Sequence, residues 1–380
     1  GGASRAGRPV AAMLGRVLAA TSRGAPPQLR TTGAAGRLGG DARVLRGAAR
    51  PQATGRAGVR PHSTDTAARV AALRTVLAME QLDVDLFRAD GLWRPPGAKG
   101  VFGGQILGQA MAAAHRTTAA AGDADDADAG LLVHSVHGYF LLAGDHTKPA
   151  LYRVRRLRDG RTLSTRSVDV RQGGRTIFSA IVSFQRGRDD GARATIEHQH
   201  PMPDAPPPES LPSSADVMRS LLADPRLHER WRPVVQASIE RPFPLDVRNV
   251  TPLTDPFDPR PLPPTQLVWM RVDPEAGLKA DDPDVHNCIA AFMSDWQLCG
   301  TPLRPAGVHF ADPRLQLLTS LDHAMWFTHP FRVDEWMLFE MASPVAGSDR
   351  GLTIGKLFRQ DGVLAATVAQ ESMQRLKPLP

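Results

Sequence analysis

Three segments in the C-terminal half place polar groups on rows that should otherwise be core. After the Asp282-Pro283 start signal a helix is predicted over Val285–Leu298, on which Cys288, Phe292, Asp295 and Cys299 recur at spacings of four, three and four. That stripe faces the sheet, so Asp295 is a carboxylate on an apolar face. Burying such a group costs roughly 2–7 kcal/mol or more unless it is hydrogen-bonded or functional, and a satisfied structural Asp is the competing reading. In a strand over Val363–Gln374, the residues Leu364, Ala366, Val368 and Gln370 share one face. An amide that closes an apolar row can grip a substrate or a water. The third segment, Leu315–Phe327, sets Leu318, Ser320, Ala324 and Trp326 against Thr319, Leu321, His323 and Met325. Asp322 and His323 have the composition of an acid–base pair, but a regular strand sends neighbours to opposite faces. His323 therefore reads as structural, and as the alternative general base.

The elements that must hold these groups occur twice. From residue 66 onward the pattern is a first strand, a helix, then several strands joined by tight turns. In the first copy the helix is Gly103–His115, followed by strand-like runs at Leu131–Leu142, Leu151–Leu157, Thr162–Arg171 and Thr176–Gln185. In the second copy Thr265–Val272 precedes the helix, and strands follow at Leu315–Phe327, Glu335–Met341, Leu352–Arg359 and Val363–Gln374. Arg171-Gln-Gly-Gly parallels Arg359-Gln-Asp-Gly, both hairpin turns in which glycine takes the positive φ that other residues resist. The first-copy counterpart of Gln370 is Ile181 or Val182, so the polar group is present only in the second copy. The expected architecture is α+β, two modules over residues 66–186 and 263–380, each a curled antiparallel sheet around one helix. Between them, residues 187–262 are rich in proline and read as an ordered connector with one short helix around Ser214–Leu222.

Charge and motifs exclude other classes. The formal charge is +7, but residues 1–60 hold eleven arginines against one acid, which leaves −3 for the rest. Nucleic acid loses its support as a partner. The basic, acid-poor segment 1–65 has the composition of an organellar transit peptide, with a basic tail as the plainer reading. No run approaches the ~18 apolar residues a membrane-spanning helix needs. Cys288 and Cys299 form neither a disulfide framework nor a C-x-x-C site, and the twelve histidines lack paired ligand spacing, so no metal or other cofactor is expected. The G-x-S-x-G elbow, the P-loop and the G-x-G-x-x-G turn are all missing.

The chain resembles the type II acyl-CoA thioesterases in Val101-Phe-Gly-Gly-Gln-Ile-Leu-Gly-Gln-Ala, His134-Ser-Val-His-Gly-Tyr-Phe-Leu-Leu-Ala-Gly-Asp, Ser294-Asp-Trp, Ser320-Leu-Asp-His-Ala-Met-Trp-Phe, Asp334-Glu-Trp-Met-Leu-Phe-Glu and Arg359-Gln-Asp-Gly-Val-Leu-Ala-Ala-Thr-Val-Ala-Gln-Glu. The similarity runs over about residues 75 to 378 in the family's order. One departure is Ala306-Gly-Val-His after Pro302-Leu-Arg-Pro, where the family often has a His directly after the proline. The resemblance implies a double hot-dog fold, a fatty acyl-CoA substrate, a homo-oligomer, and a catalytic set of Asp295, Ser320 and Gln370 around one water. A thioester carbonyl is already electrophilic and its thiolate leaves readily, so a positioned water and an oxyanion site can suffice. Competing expectations are a hot-dog hydratase using an Asp–His pair and an acyl-CoA carrier without turnover. Location is expected to be mitochondrial from the leader, with the peroxisome as the alternative; Lys377-Pro-Leu-Pro lacks a Ser-Lys-Leu type address.

Overall fold

The computed structural model describes residues 64–118, 130–187, 196–279 and 282–377. The basic segment 1–65 lies outside the described residues except for Thr64 and Asp65, which open helix α1. The first half contains α1 (Thr64–Val76), β1 (Glu80–Asp83), β2 (Leu86–Ala89), α2 (Gly103–Arg116), β3 (Leu131–Phe140), β4 (Ala150–Asp159), β5 (Leu163–Gln172) and β6 (Arg175–Arg186). Then come α3 (Ser214–Ala223), α4 (Arg232–Glu240) and β7 (Asp246–Asn249). The second half contains β8 (Thr265–Arg271), α5 (Pro283–Ser294), β9 (Leu315–Ser320), β10 (Asp322–Phe327), β11 (Met337–Gly347), β12 (Arg350–Arg359) and β13 (Leu364–Leu376).

The strands form one antiparallel sheet in the order β1-β2-β4-β5-β6-β3-β10-β13-β12-β11-β8-β7, with β9 beside β13. Within it β2-β4-β5-β6-β3 and β8-β11-β12-β13-β10 repeat one order, and they meet where β3 pairs β10 from Ser135↔Trp326 to Tyr139↔Asp322. Each half thus supplies a curled sheet and one long buried helix: the double hot-dog architecture. The hairpin reading holds, with Gly173, Gly174 and Gly362 at φ of 53°, 78° and 91°. Among the described residues no helix is long and apolar enough to cross a membrane.

The two helices touch along their small residues. A Cβ at Gly104 would lie 2.5 Å from the carbonyl oxygen of Phe292, and one at Gly108 would lie 2.7 Å from that of Cys288. Those pairings run in opposite directions, so the N-terminus of α2 meets the C-terminus of α5. Glycine at both places lets the backbones approach.

Three expectations need correction. The helix expected over Val285–Leu298 ends at Ser294, because Gln297 takes the left-handed conformation (φ 66°, ψ −4°) and a 3-10 turn over Leu298–Ala306 follows. The strand expected over Leu315–Phe327 is two strands broken at Leu321. Along β13, Ser372 pairs with Ser320 and Ala369 with Ala324, so three steps on one strand face four on the other. One extra residue is a bulge, and it reverses which side chains point inward. The connector also holds more than one helix: α4 and β7 are ordered, and β7 extends the sheet beside β8.

Candidate active site

The three nominated residues converge where the N-terminus of α2 meets the C-terminus of α5. Asp295 caps the C-terminus of α5 and is only 8% exposed. Its Oδ2 accepts the backbone N–H of Gly104 at 2.8 Å, in the first turn of α2, where the helix dipole favours negative charge. Its Oδ1 lies 3.4 Å from the Ser320 hydroxyl, a long contact at the end of β9. Gln370 comes from β13, on the inward row with Ala366 and Val368, and is 1% exposed. Its Nε2 donates to Ser320 Oγ at 3.1 Å.

The bulge at Leu321 alters the expected geometry. Ser320 and His323 were assigned to opposite faces of one regular strand, yet both reach Gln370: His323 Nδ1 lies 2.5 Å from Gln370 Oε1. His323 is fully buried, and its Nε2 lies 2.9 Å from the Ser294 hydroxyl. Asp322, on the opposite side, accepts the N–H of Glu371. The acid–base composition of Asp322-His323 is therefore no working pair.

One member was missed. Cys299 Sγ is 3.1 Å from Gln370 Nε2 and 3.3 Å from Ser320 Oγ. Its spacing of four from Asp295 was the available signal, although the helix that spacing assumed has already ended. The Gly103-Gly104 pair before Gln105 was a second signal. A Cβ at Gly103 would lie 2.9 Å from Asp295 Oδ2, so the motif keeps the approach to the carboxylate clear.

Burial sets the electrostatics. It raises the Asp295 carboxyl to about 7, against the opposing hydrogen bonds from Gly104, Gln370 and Ser320. A carboxyl poised there can take and return a proton at neutral pH. Burial, then the nearby Asp295 charge, pushes the Cys299 thiol up to about 12, which keeps it protonated and a poor nucleophile. Burial drives His323 down to about 4, opposed by the Gln370 contact, so its imidazole is neutral.

Around the cluster the wall is aromatic. Trp296, next to Asp295, stacks on Phe243 at 4.1 Å between centroids, and Phe102 meets Phe292 at 5.1 Å. Phe243 comes from the connector, which therefore closes the site's apolar surroundings. Low polarity here is what holds the carboxyl high.

A double hot-dog with a buried Asp and Gln and a half-buried Ser where α2 meets α5 defines a thioesterase-like class. A family model described as acyl-CoA thioesterase matches residues 237–373, and one described as the acyl-CoA thioesterase N-terminal domain matches residues 90–185. Acyl-coenzyme A thioesterase 8 of Homo sapiens is 41% identical over 305 residues, covering 80% of this chain and 89% of its own. The crystal structure of acyl-CoA thioesterase II TesB2 from Mycobacterium marinum superposes with a TM-score of 0.58 at 37% identity, covering 80% of this chain and 98% of its own. Peroxisomal acyl-coenzyme A thioester hydrolase 1 of Saccharomyces cerevisiae is 24% identical over 319 residues, 73% of this chain and 86% of its own. The chain belongs to the acyl-CoA thioesterase family, and is with it a hydrolase of thioesters.

Proposed function

We propose that this protein hydrolyses fatty acyl-CoA to free fatty acid and CoA with one water held by Asp295, Ser320 and Gln370. The observation that carries the reading is the convergence of these three side chains around a carboxyl raised to about 7. In this mechanism the water oxygen attacks the thioester carbonyl carbon while Asp295 accepts its proton. The tetrahedral intermediate then collapses, the carbon–sulfur bond breaks, and the proton returns from Asp295 to the departing thiolate. Ser320 and Gln370 fix the water, and the positive end of α2 favours the charge that develops on the carbonyl oxygen. Release of free thiol from palmitoyl-CoA by the purified chain tests this. Tight binding without thiol release would leave an acyl-CoA carrier instead.

In the proposed organisation two modules, 66–186 and 263–380, are joined by the connector 187–262, and the protein assembles with further copies of itself. Support for assembly comes from the outer sheet face, where Tyr139, Ile181 and Trp326 are 62%, 49% and 39% exposed and His137 packs edge-on against Trp326. Light scattering reads the oligomeric state directly. For location two observations point apart: the arginine-rich leader supports mitochondria, and the name of the yeast relative supports peroxisomes. Imaging the full chain beside a reporter carrying residues 1–65 decides between them.

A further inference from the structure

The Gln370 carboxamide can serve a water only if the correct end faces it. An amide has one end that only accepts and one that only donates, and the two are nearly equal in size. Packing alone therefore cannot choose between them. Here one end meets Cys299 Sγ and Ser320 Oγ at 3.1 Å each, and the other meets His323 Nδ1 at 2.5 Å. We propose that His323 is a positioning residue: by donating from Nδ1 to Gln370 Oε1 it locks the amide so that Nε2 points into the catalytic cluster.

The geometry of the neighbouring groups supports this direction. With the amide turned this way Oε1 faces Nδ1 and can only accept, which calls for the hydrogen on Nδ1. His323 is neutral, since burial pulls it down to about 4, and Nε2 is then left as an acceptor. The Ser294 hydroxyl stands 2.9 Å from Nε2 and can donate to it. The same hydroxyl is 3.0 Å from the Ala291 carbonyl and 3.2 Å from Met325 Sδ. Both of these only accept and compete for its single hydrogen; in the proposed arrangement that hydrogen turns to the imidazole and selects the tautomer. A line of hydrogen bonds then runs Ser294 to His323 to Gln370 to Ser320 and ends at Asp295. It crosses from α5 through β10 and β13 to β9, so four elements must agree before the amide is oriented. Because His323 touches the amide and not the reacting atoms, its loss should lower kcat and spare KM.

This inference rests on the role given to Gln370 above, and its test separates the two. Long-range ¹H–¹⁵N correlation on histidine-labelled native protein reads the tautomer without any turnover. The expected result is a buried neutral histidine protonated at Nδ1, assigned through its absence in His323→Phe or His323→Asn. An Nε2–H tautomer would overturn the proposal. Kinetics supply the second arm. His323→Phe should lower kcat ~10–100-fold at unchanged KM, the scale of a misplaced catalytic group. His323→Asn, which keeps a donor near Oε1, should recover most of that loss. Adding His323→Phe to Gln370→Ala should cost nothing further. A folded His323→Phe enzyme with native kcat, or losses that multiply in the double variant, would also refute the lock. Absence of turnover in the native protein would instead defeat the functional reading and leave the tautomer result standing.

Discussion

Asp295 is held in conflict: the fold buries a carboxyl that the proposed mechanism needs ionised. With its carboxyl raised to about 7, the reactive form grows as pH rises through neutrality. The expected profile is a kcat/KM that climbs between about pH 6 and 8 and then levels, and a profile flat across that range would remove Asp295 as the base. Linkage gives the matching stability effect. The folded state binds this proton more tightly than the unfolded chain, whose carboxyl keeps its ordinary value of 3.8. The stability contributed is complete below pH 4 and is lost as pH rises through 7. A displacement of that size corresponds to at most on the order of 4 kcal/mol. Asp295→Asn cannot ionise, so it should melt several degrees above the native protein at pH 8 and close to it at pH 4. Melting curves that differ by the same amount at both values would show that ionisation carries no cost.

The helices and strands decide which side chains meet, and here the sequence was legible in part. The inward row ending in Gln370 could be read from alternation, and the carboxylate on the helix stripe could be read from its spacing. The end of α5 could not, because the left-handed residue that stops it is Gln297 and not the glycine that normally marks such a stop. Nor could the bulge at Leu321, since both flanks alternate like one strand and the extra residue exists only relative to β13. Alternation therefore separated Ser320 from His323, whereas pairing with β13 unites them. Strand β7 was hidden among prolines for a similar reason: its four residues are defined by pairing with β8. At this scale the sharpest prediction concerns the contact between α2 and α5. Gly104→Ala would bring its Cβ to 2.5 Å from the Phe292 carbonyl oxygen, a backbone atom that cannot swing away. The expected cost is ~1–3 kcal/mol of stability, as for other overpacked cores, together with loss of activity as the Gly104 N–H leaves Asp295. Native melting temperature and native kcat in this variant would contradict the described approach of the helices.

At the largest scale the two halves repeat one strand order but differ in their inward polar residues and in their covering. The connector seals the second half's outer face: Trp269 Nε1 donates to the Pro206 carbonyl and Trp336 Nε1 to Glu209. The first half's counterpart of Gln370 on the inward row is Val182, which is fully buried, while Ile181 is exposed. Its apolar side is a packing surface, and the proposed site draws on both halves, since Gly104 of the first supplies a hydrogen bond to Asp295 of the second. Val182→Gln should therefore bring no gain in turnover and should lower the melting temperature, since it buries an amide without partners. A rise in kcat would reveal a second working site. In the proposed mechanism one water, activated by Asp295, does the chemistry. Steady-state kinetics of the full chain carrying Asp295→Asn, with palmitoyl-CoA and a parallel measurement of CoA binding, test it most directly. The expected result is a kcat lower by roughly 10²–10⁴-fold with binding retained, the usual scale for loss of a general base. A folded Asp295→Asn enzyme with near-native kcat would contradict it.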